Sequence, residues 1–140
     1  MRNRVLIDSG PLIALFDRSD RHHERVLEFL KGFDGHLLST WPVLTEVSHL
    51  LDFNLRVQID FLRWVERGAV EVADLSRDDL GEIVEMMERY LNVPMDLADA
   101  TLLYVAQKKG IRQIVTLDRD FEIYRAVPGG MLENLLGVHR

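Results

Sequence analysis

Cysteine is absent from the 140-residue chain. That excludes disulfides, thiolate zinc sites and a cysteine nucleophile, and it is compatible with a reducing cytoplasm. Any metal chemistry must therefore use oxygen or imidazole ligands. No stretch is rich in proline, glycine or serine, and there is no low-complexity tract and no repeat at a solenoid period. One continuous core is expected, with residues 1–140 forming a single domain long enough to bury about 68–70% of its unfolded surface. No apolar run approaches the length of a membrane span. The opening Met1-Arg2-Asn3-Arg4 leads into an apolar run broken at Asp8, too short for a signal peptide. A cytoplasmic protein without a membrane partner is expected. Basic charge is also scarce: 17 Lys and Arg stand against 23 Asp and Glu, a net charge of -6. This argues against a broad electrostatic grip on nucleic acid, which normally uses a basic face.

What the chain does contain is an alternation of short β-branched runs and amphipathic stretches. Arg4 to Ile7 reads as a strand ending at Asp8; Ser9-Gly10-Pro11 breaks it and opens a helix through Leu12 to Phe16. Asp20 is placed to cap a second helix to about Phe33, with Val26, Phe29, Leu30 and Phe33 at helical spacing. His36 to Leu38 follows as a strand. Thr40 reads as an N-cap with Pro42 in the first turn, and Val43, Leu44, Val47, Leu50 and Leu51 share a face. A fourth helix spans about Arg56 to Glu66 and stops at Gly68, before a strand over Ala69 to Ala73. Ser76 and Asp79 resemble a capping box for a helix through Tyr90. Asp96 is placed to cap a helix closing at Gly110, and Gln113 to Leu117 reads as a buried strand ending at Asp118. Ala126-Val127 is a candidate edge strand before Pro128-Gly129-Gly130, and a short helix is expected in the tail. The alternation predicts an α/β fold: a central parallel sheet of about four to five strands flanked by helices on both faces.

In open parallel sheets the ligand site lies beyond the carboxyl ends of the strands. Asp8 and Asp118 each follow a strand directly in this reading. Asp96 and Asp99, three residues apart, occupy neighbouring positions at the start of the helix that leads into the second of those strands. Glu46 lies in the second turn of a helix, next to Val43 and Leu50 on an otherwise apolar face. Each acid alone has an ordinary reading: Asp8 and Asp96 as helix caps, Asp118 as the start of a turn with Arg119 and Asp120. Together they form a cluster whose mutual repulsion only a cation relieves, and oxygen-only ligands select Mg2+ or Mn2+. Such ions lower the pKa of bound water and stabilise charge on a phosphodiester undergoing in-line attack, so no nucleophilic side chain is required. Ser9 and Thr116 adjoin proposed ligands and are candidates to hydrogen-bond a carboxylate or bound water; turn and strand roles are the ordinary alternatives.

Other motifs fail on spacing. Glu46 and His49 form one Glu-x-x-His pair where a di-iron site needs two, so His49 is read as a helix residue with no ligand role. Asp118-x-Asp120-x-Glu122 imitates a calcium loop, but Ile123 stands at its sixth position and Gly129 at its twelfth. An aspartyl-nucleophile phosphatase would want an acid where Gly10 stands.

Four blocks occur in a recognisable order: Asp8-Ser9-Gly10-Pro11-Leu12-Ile13-Ala14, Thr45-Glu46-Val47, Asp96-Leu97-Ala98-Asp99-Ala100, and Val115-Thr116-Leu117-Asp118-Arg119-Asp120-Phe121. In this order they resemble the PIN-domain family, especially its small toxin members of the VapC type, from Val5 to about Phe121. The resemblance implies a ribonuclease with Asp8, Glu46, Asp99 and Asp118 as an acidic quartet around Mg2+ or Mn2+. Asp96 is a lesser candidate ligand, Asp120 a weaker one, and Phe121 a core residue. The resemblance also implies a homodimer, an RNA substrate and a cognate antitoxin whose C-terminal segment occupies the groove; an acidic toxin surface suits a basic antitoxin. Arg18, Arg21, His22 and His23 are candidates for a local basic patch, with a solvated loop as the ordinary alternative. A non-catalytic PIN-like module that binds RNA or a partner is the competing reading, and no residue is assignable to discrimination between RNA and DNA.

Overall fold

The computed structural model describes residues 3–125 and 130–137. The chain runs β1 (Arg4–Ile7), α1 (Ser9–Phe16), α2 (His23–Lys31), β2 (His36–Ser39), α3 (Trp41–Leu50), α4 (Leu55–Glu66) and β3 (Val70–Val72). After a 3-10 turn (Arg77–Asp79) come α5 (Leu80–Arg89), α6 (Leu97–Lys109), β4 (Gln113–Val115), a second 3-10 turn (Arg119–Glu122) and β5 (Glu133–Asn134). The strands form one sheet in the order β3-β2-β1-β4-β5, and every neighbouring pair is parallel. Val5, Leu6 and Ile7 are consecutive and all fully buried. Successive strand residues point to opposite faces, so both faces of the sheet are covered, as expected for a parallel sheet.

The topology sets where a ligand can enter. From β1 the chain steps outward to β2 and β3, then returns across β1 to place β4 on its other side. The carboxyl ends of β1 and β4 therefore flank a switch point, where outgoing connections diverge and leave a crevice. α6 leads into β4 and is buried on nearly every side, from Ala98 through Ala106 except Asp99. A helix apolar all round belongs in the interior, and α6 packs against both α3 and α5. Its C-terminus closes at Gly110 in the left-handed region, φ 67°, a conformation that glycine adopts without steric cost.

Several boundaries differ from the expectations of the sequence. α1 begins at Ser9, earlier than the turn at Pro11 suggests, because Asp8 caps it directly. Asp20 does not cap α2: its carboxylate accepts from His22 N at 2.8 Å and closes a turn, and the helix runs from His23 to Lys31. Thr40 stands at the N-cap of α3, but its hydroxyl bonds to Thr101. The Ser76–Asp79 capping box exists and holds a 3-10 turn that feeds α5, which ends at Arg89. On α3, Leu50 is 49% exposed while Val43, Leu44 and Val47 are buried, so the buried face is narrower than expected. β4 ends at Val115, two residues before Leu117, because the backbone of Thr116 bonds to the side chain of Asn134, the last residue of β5. The expected strand at Ala126-Val127 and the residues Pro128 and Gly129 lie outside the described residues. In place of a helical tail the structure has β5, followed by a turn at 135–136.

Gly35 occupies a close approach: a Cβ there would lie 2.7 Å from the carbonyl oxygen of Asn3 and 2.8 Å from the Phe33 ring. The same carbonyl accepts the first parallel-ladder bond from His36 N at 2.8 Å, so it cannot retreat freely. Gly35→Ala is expected to cost about 1–3 kcal/mol of unfolding free energy through overpacking, read from the urea midpoint. An unchanged midpoint would show that the β1–β2 entry is looser than described.

Candidate metal centre

The site is built from the ends of β1 and β4 and the first turn of α6. Asp8 is the residue after β1; its N–H donates to Val115 O at 3.0 Å, extending the β1–β4 ladder by one step. The side chain is 4% exposed and both oxygens are engaged: Oδ1 accepts from Ser9 N and Oδ2 from Thr116 Oγ1, each at 2.8 Å. The same Thr116 hydroxyl accepts from Asp118 N at 2.9 Å. One threonine thus orients the first acid and fixes the backbone carrying another. Asp118 in turn accepts from Asp120 N at 2.9 Å through Oδ1 and opens the second 3-10 turn. From the α6 side, Asp96 caps the helix by accepting from Asp99 N at 2.8 Å, which places Asp99 in the first turn.

Asp8, Asp99 and Asp118 each present a carboxylate oxygen within 4.8 Å of the others. Glu46 and Asp96 stand on the wall of the same cleft, with Ser9, Gly10 and Leu117; its volume is about 240 Å³. The structure therefore brings together in one cleft every acid of the expected quartet and Asp96, with three of them in close convergence and Glu46 outside that closest group. Ser9 reaches Asp8 through its backbone N–H, whereas Thr116 does so through its hydroxyl. Asp120 supports Asp118 through its backbone and does not line the cleft. Phe121 is buried and packs edge-on against Tyr124, and His49 is exposed, 3.9 Å from Asp52. Of the four candidates for a basic patch, Arg18 and His23 line a different cleft, with Leu15, Phe16, Val57 and Asp60, and none of the four is among the described residues lining the acidic one.

The electrostatics follow from this crowding. Asp99 is pushed up to about 8, first by burial and then by the charges of Asp8, Asp96 and Asp118. Asp8 is raised to about 6, chiefly by burial; the hydrogen bonds from Thr116 and Ser9 pull it down, and Asp118 and Glu46 push it up further. Asp118 is also raised, by burial first and then by Asp120 and Asp96, against the bond from Asp120 N. No Lys, Arg or His is among the described residues lining the cleft. The amide N–H groups at the starts of α1 and α6 offset only part of this charge. The donor set fits a hard divalent cation, because every side chain that faces the centre with charge is a carboxylate.

Buried polar side chains brace the surrounding elements. Ser39 Oγ donates to Ile7 O at 2.9 Å, joining the end of β2 to that of β1. Thr40 and Thr101 bond hydroxyl to hydroxyl at 2.7 Å, and Thr101 Oγ1 donates to Ala98 O at 2.8 Å. These bonds set the start of α3, which carries Glu46, against the start of α6, which carries Asp99. Ser39, Thr101 and Asn134 were not anticipated from sequence; the Asn134 side chain accepts from Thr116 N at 3.2 Å and donates to Thr116 O at 3.0 Å. An asparagine in an aperiodic tail carries no signal of such a contact.

This arrangement can be set beside known proteins. The PIN domain family model matches residues 5–127. Ribonuclease VapC26 of Mycobacterium tuberculosis is 27% identical over 129 residues, covering 90% of this chain and 96% of that protein. Among solved structures, Mycobacterium tuberculosis VapC20, described as a Sarcin-Ricin loop cleaving toxin, superposes with a TM-score of 0.78 at 21% identity, covering 88% of this chain and 98% of that one. VapBC2 from Rickettsia felis, bound to a DNA fragment from their promoter, gives a TM-score of 0.64 at 15% identity, with coverages of 94% and 98%. The structural likenesses speak to fold, and the family match spans all four acidic blocks from Asp8 to Asp118 as well as the switch-point cleft they line: the chain belongs to the PIN-domain family.

Proposed function

We propose that this chain is a divalent-cation-dependent endoribonuclease and the toxin of a toxin–antitoxin pair. The observation that carries the reading is the convergence of Asp8, Asp99 and Asp118 oxygens within 4.8 Å in a cleft without a basic side chain among its described lining residues. Asp8, Asp99 and Asp118 would hold Mg2+ or Mn2+, with Glu46 and Asp96 placed to bind a second ion or its water. A bound cation of this kind lowers the pKa of its water and stabilises charge on the phosphodiester oxygens. The chain's own contribution is orientation. Thr116 and Ser9 N hold the Asp8 carboxylate, Asp120 N holds that of Asp118, and Asp96 fixes the helix start that carries Asp99 by accepting from its backbone N–H. Carboxylates already held need no reordering when the cation arrives, which is the advantage of a braced ligand shell.

RNA as substrate is supported by the similarity to Ribonuclease VapC26 and to VapC20, since carboxylate-held cations do not themselves read the 2′-hydroxyl. An antitoxin partner is supported by the likeness to VapBC2. A homodimer and a cytoplasmic setting belong to the same reading, with residues 1–140 acting as one nuclease domain. Among the described residues no helix is long and apolar enough to cross a membrane.

The activity test uses purified protein freed of any partner, with structured and unstructured RNA and DNA in Mg2+ or Mn2+. Cleavage of RNA is expected, lost on chelation and reduced about a hundredfold or more by Asp8→Asn or Asp99→Asn. Cleavage that survives both substitutions would reject the acidic cleft as the active centre.

A second prediction follows from the raised acids. Asp8 and Asp99 hold protons in the fold that the unfolded chain releases near its ordinary carboxylate pKa of 3.8. Their contribution to stability is thus complete below that value and is lost as pH rises through about 6 for Asp8 and about 8 for Asp99. Cation binding requires the ionised forms, so Mn2+ should raise the unfolding midpoint more at pH 8 than at pH 5.5. Asp99→Asn should stabilise the metal-free protein at pH 8 and shrink the Mn2+ gain. Equal Mn2+ gains at the two pH values would contradict the account.

A further inference from the structure

The sheet stops short of the metal centre on one side. β4 pairs with β5 through Gln113↔Glu133 and Ile114↔Asn134, and the last main-chain bond across this pair runs from Leu135 N to Ile114 O at 2.9 Å. In a parallel strand alternate residues turn their N–H and C=O to the same neighbour. Val115 turns to β1, where its carbonyl accepts from Asp8 N. Thr116 therefore turns back towards β5, but β5 has ended.

The Asn134 side chain takes the place of the missing strand. Its Oδ1 accepts from Thr116 N at 3.2 Å and its Nδ2 donates to Thr116 O at 3.0 Å, a two-point amide-to-peptide pairing. Asn134 is itself held, because Oδ1 also accepts from Leu136 N at 3.2 Å. The segment around it is anchored by Leu132 and Leu136, both buried, and by a bond from the Arg25 guanidinium on α2 to Leu136 O. Thr116 is 1% exposed, so without Asn134 its N–H and C=O would have no strand to pair with in a buried position. Its hydroxyl, donating to Asp8 and accepting from Asp118 N, would lose the backbone that aims it.

We propose that Asn134 is a positioning residue for the cation site: by completing the sheet around Thr116 it sets the rotamer of Asp8 and the path of the chain into Asp118. This rests on the reading of the acidic cleft as a cation site, and it adds to that reading the C-terminal β5 segment, more than a hundred residues from Asp8 in the chain. Among the described residues the hydrogen bonds of the Asn134 side chain go to backbone groups and none to a carboxylate, so its influence on the acids runs through Thr116.

The test is a Mn2+ titration followed by the electron paramagnetic resonance of free Mn2+, with folding checked by circular dichroism. Three full-length proteins are compared: the unaltered chain, Asn134→Ala, and Leu132→Ala, which weakens the docking of β5 but keeps the amide. Asn134→Ala is expected to bind Mn2+ about tenfold or more weakly, in line with the loss of a residue that orients a ligand, while Leu132→Ala, if folded, binds like the unaltered chain. In cleavage assays, raising Mn2+ should recover rate in Asn134→Ala with the KM for RNA unchanged. Should Asn134→Ala not fold, Asn134→Ser, which leaves room for water to reach the Thr116 peptide groups, takes its place with the same expectation. Mn2+ binding by the folded Asn134 variant equal to that of the unaltered chain overturns the role of Asn134 alone, as does an equal loss in Leu132→Ala. Failure of the unaltered chain to bind Mn2+ overturns the cation-site reading and this inference with it.

Discussion

Three carboxylates held within 4.8 Å of one another repel, and the rest of the site is organised around keeping them together without neutralising them. None of the described residues lining the cleft is basic. Instead, neutral donors hold the acids: a backbone N–H each for Asp8, Asp118 and the capping Asp96, and the Thr116 hydroxyl for Asp8. Neutral donors orient a carboxylate without cancelling its charge. Burial first, and then mutual repulsion, raise the proton affinity of Asp8, Asp99 and Asp118, and such a cluster is compatible with a divalent cation.

The fold supplies the rigidity that this repulsion demands. Asp8 sits one residue past the most protected strand, between two parallel neighbours. Asp99 sits on the first turn of a helix buried on nearly all sides, so neither can drift away from the other by local fraying. Ser39, Thr40 and Thr101 carry the bracing outward to β2 and α3, where Glu46 stands. The strand order makes this possible, because at the switch between β1 and β4 two strand ends and the start of α6 face a shared opening.

Much of this was legible in the sequence where the determinants are local. Asp8 after a β-branched run, Asp96 three residues ahead of Asp99, and Gly110 after an apolar helix each announce a strand end, a cap and a C-terminus through neighbouring residues alone. Thr116 was a candidate to hydrogen-bond a carboxylate because it adjoins Asp118, but spacing did not show that it reaches Asp8, 108 residues away in the chain. What was hidden depended on partners distant in the chain. β4 ends at Val115 because Asn134, 18 residues on, captures Thr116. β5 is two residues long and makes a single strand pairing, too short for any periodicity to mark it. Leu50 fits the apolar face of α3 by spacing, yet it is 49% exposed while Val43, Leu44, Val47 and Leu51 are buried. The separation of Arg18 and His23 from the acids is likewise a matter of which cleft α1 and α4 line, which spacing does not reveal.

The central claim is that the acids await a cation while partly protonated, and proton counting tests it most directly. Calorimetric titration of Mn2+ into the protein at pH 7, repeated in buffers of different ionisation enthalpy, gives the number of protons displaced. With Asp99 near 8 and Asp8 near 6, binding should release about one proton per chain, mostly from Asp99. Binding with no proton release, or no binding at all, would contradict the account.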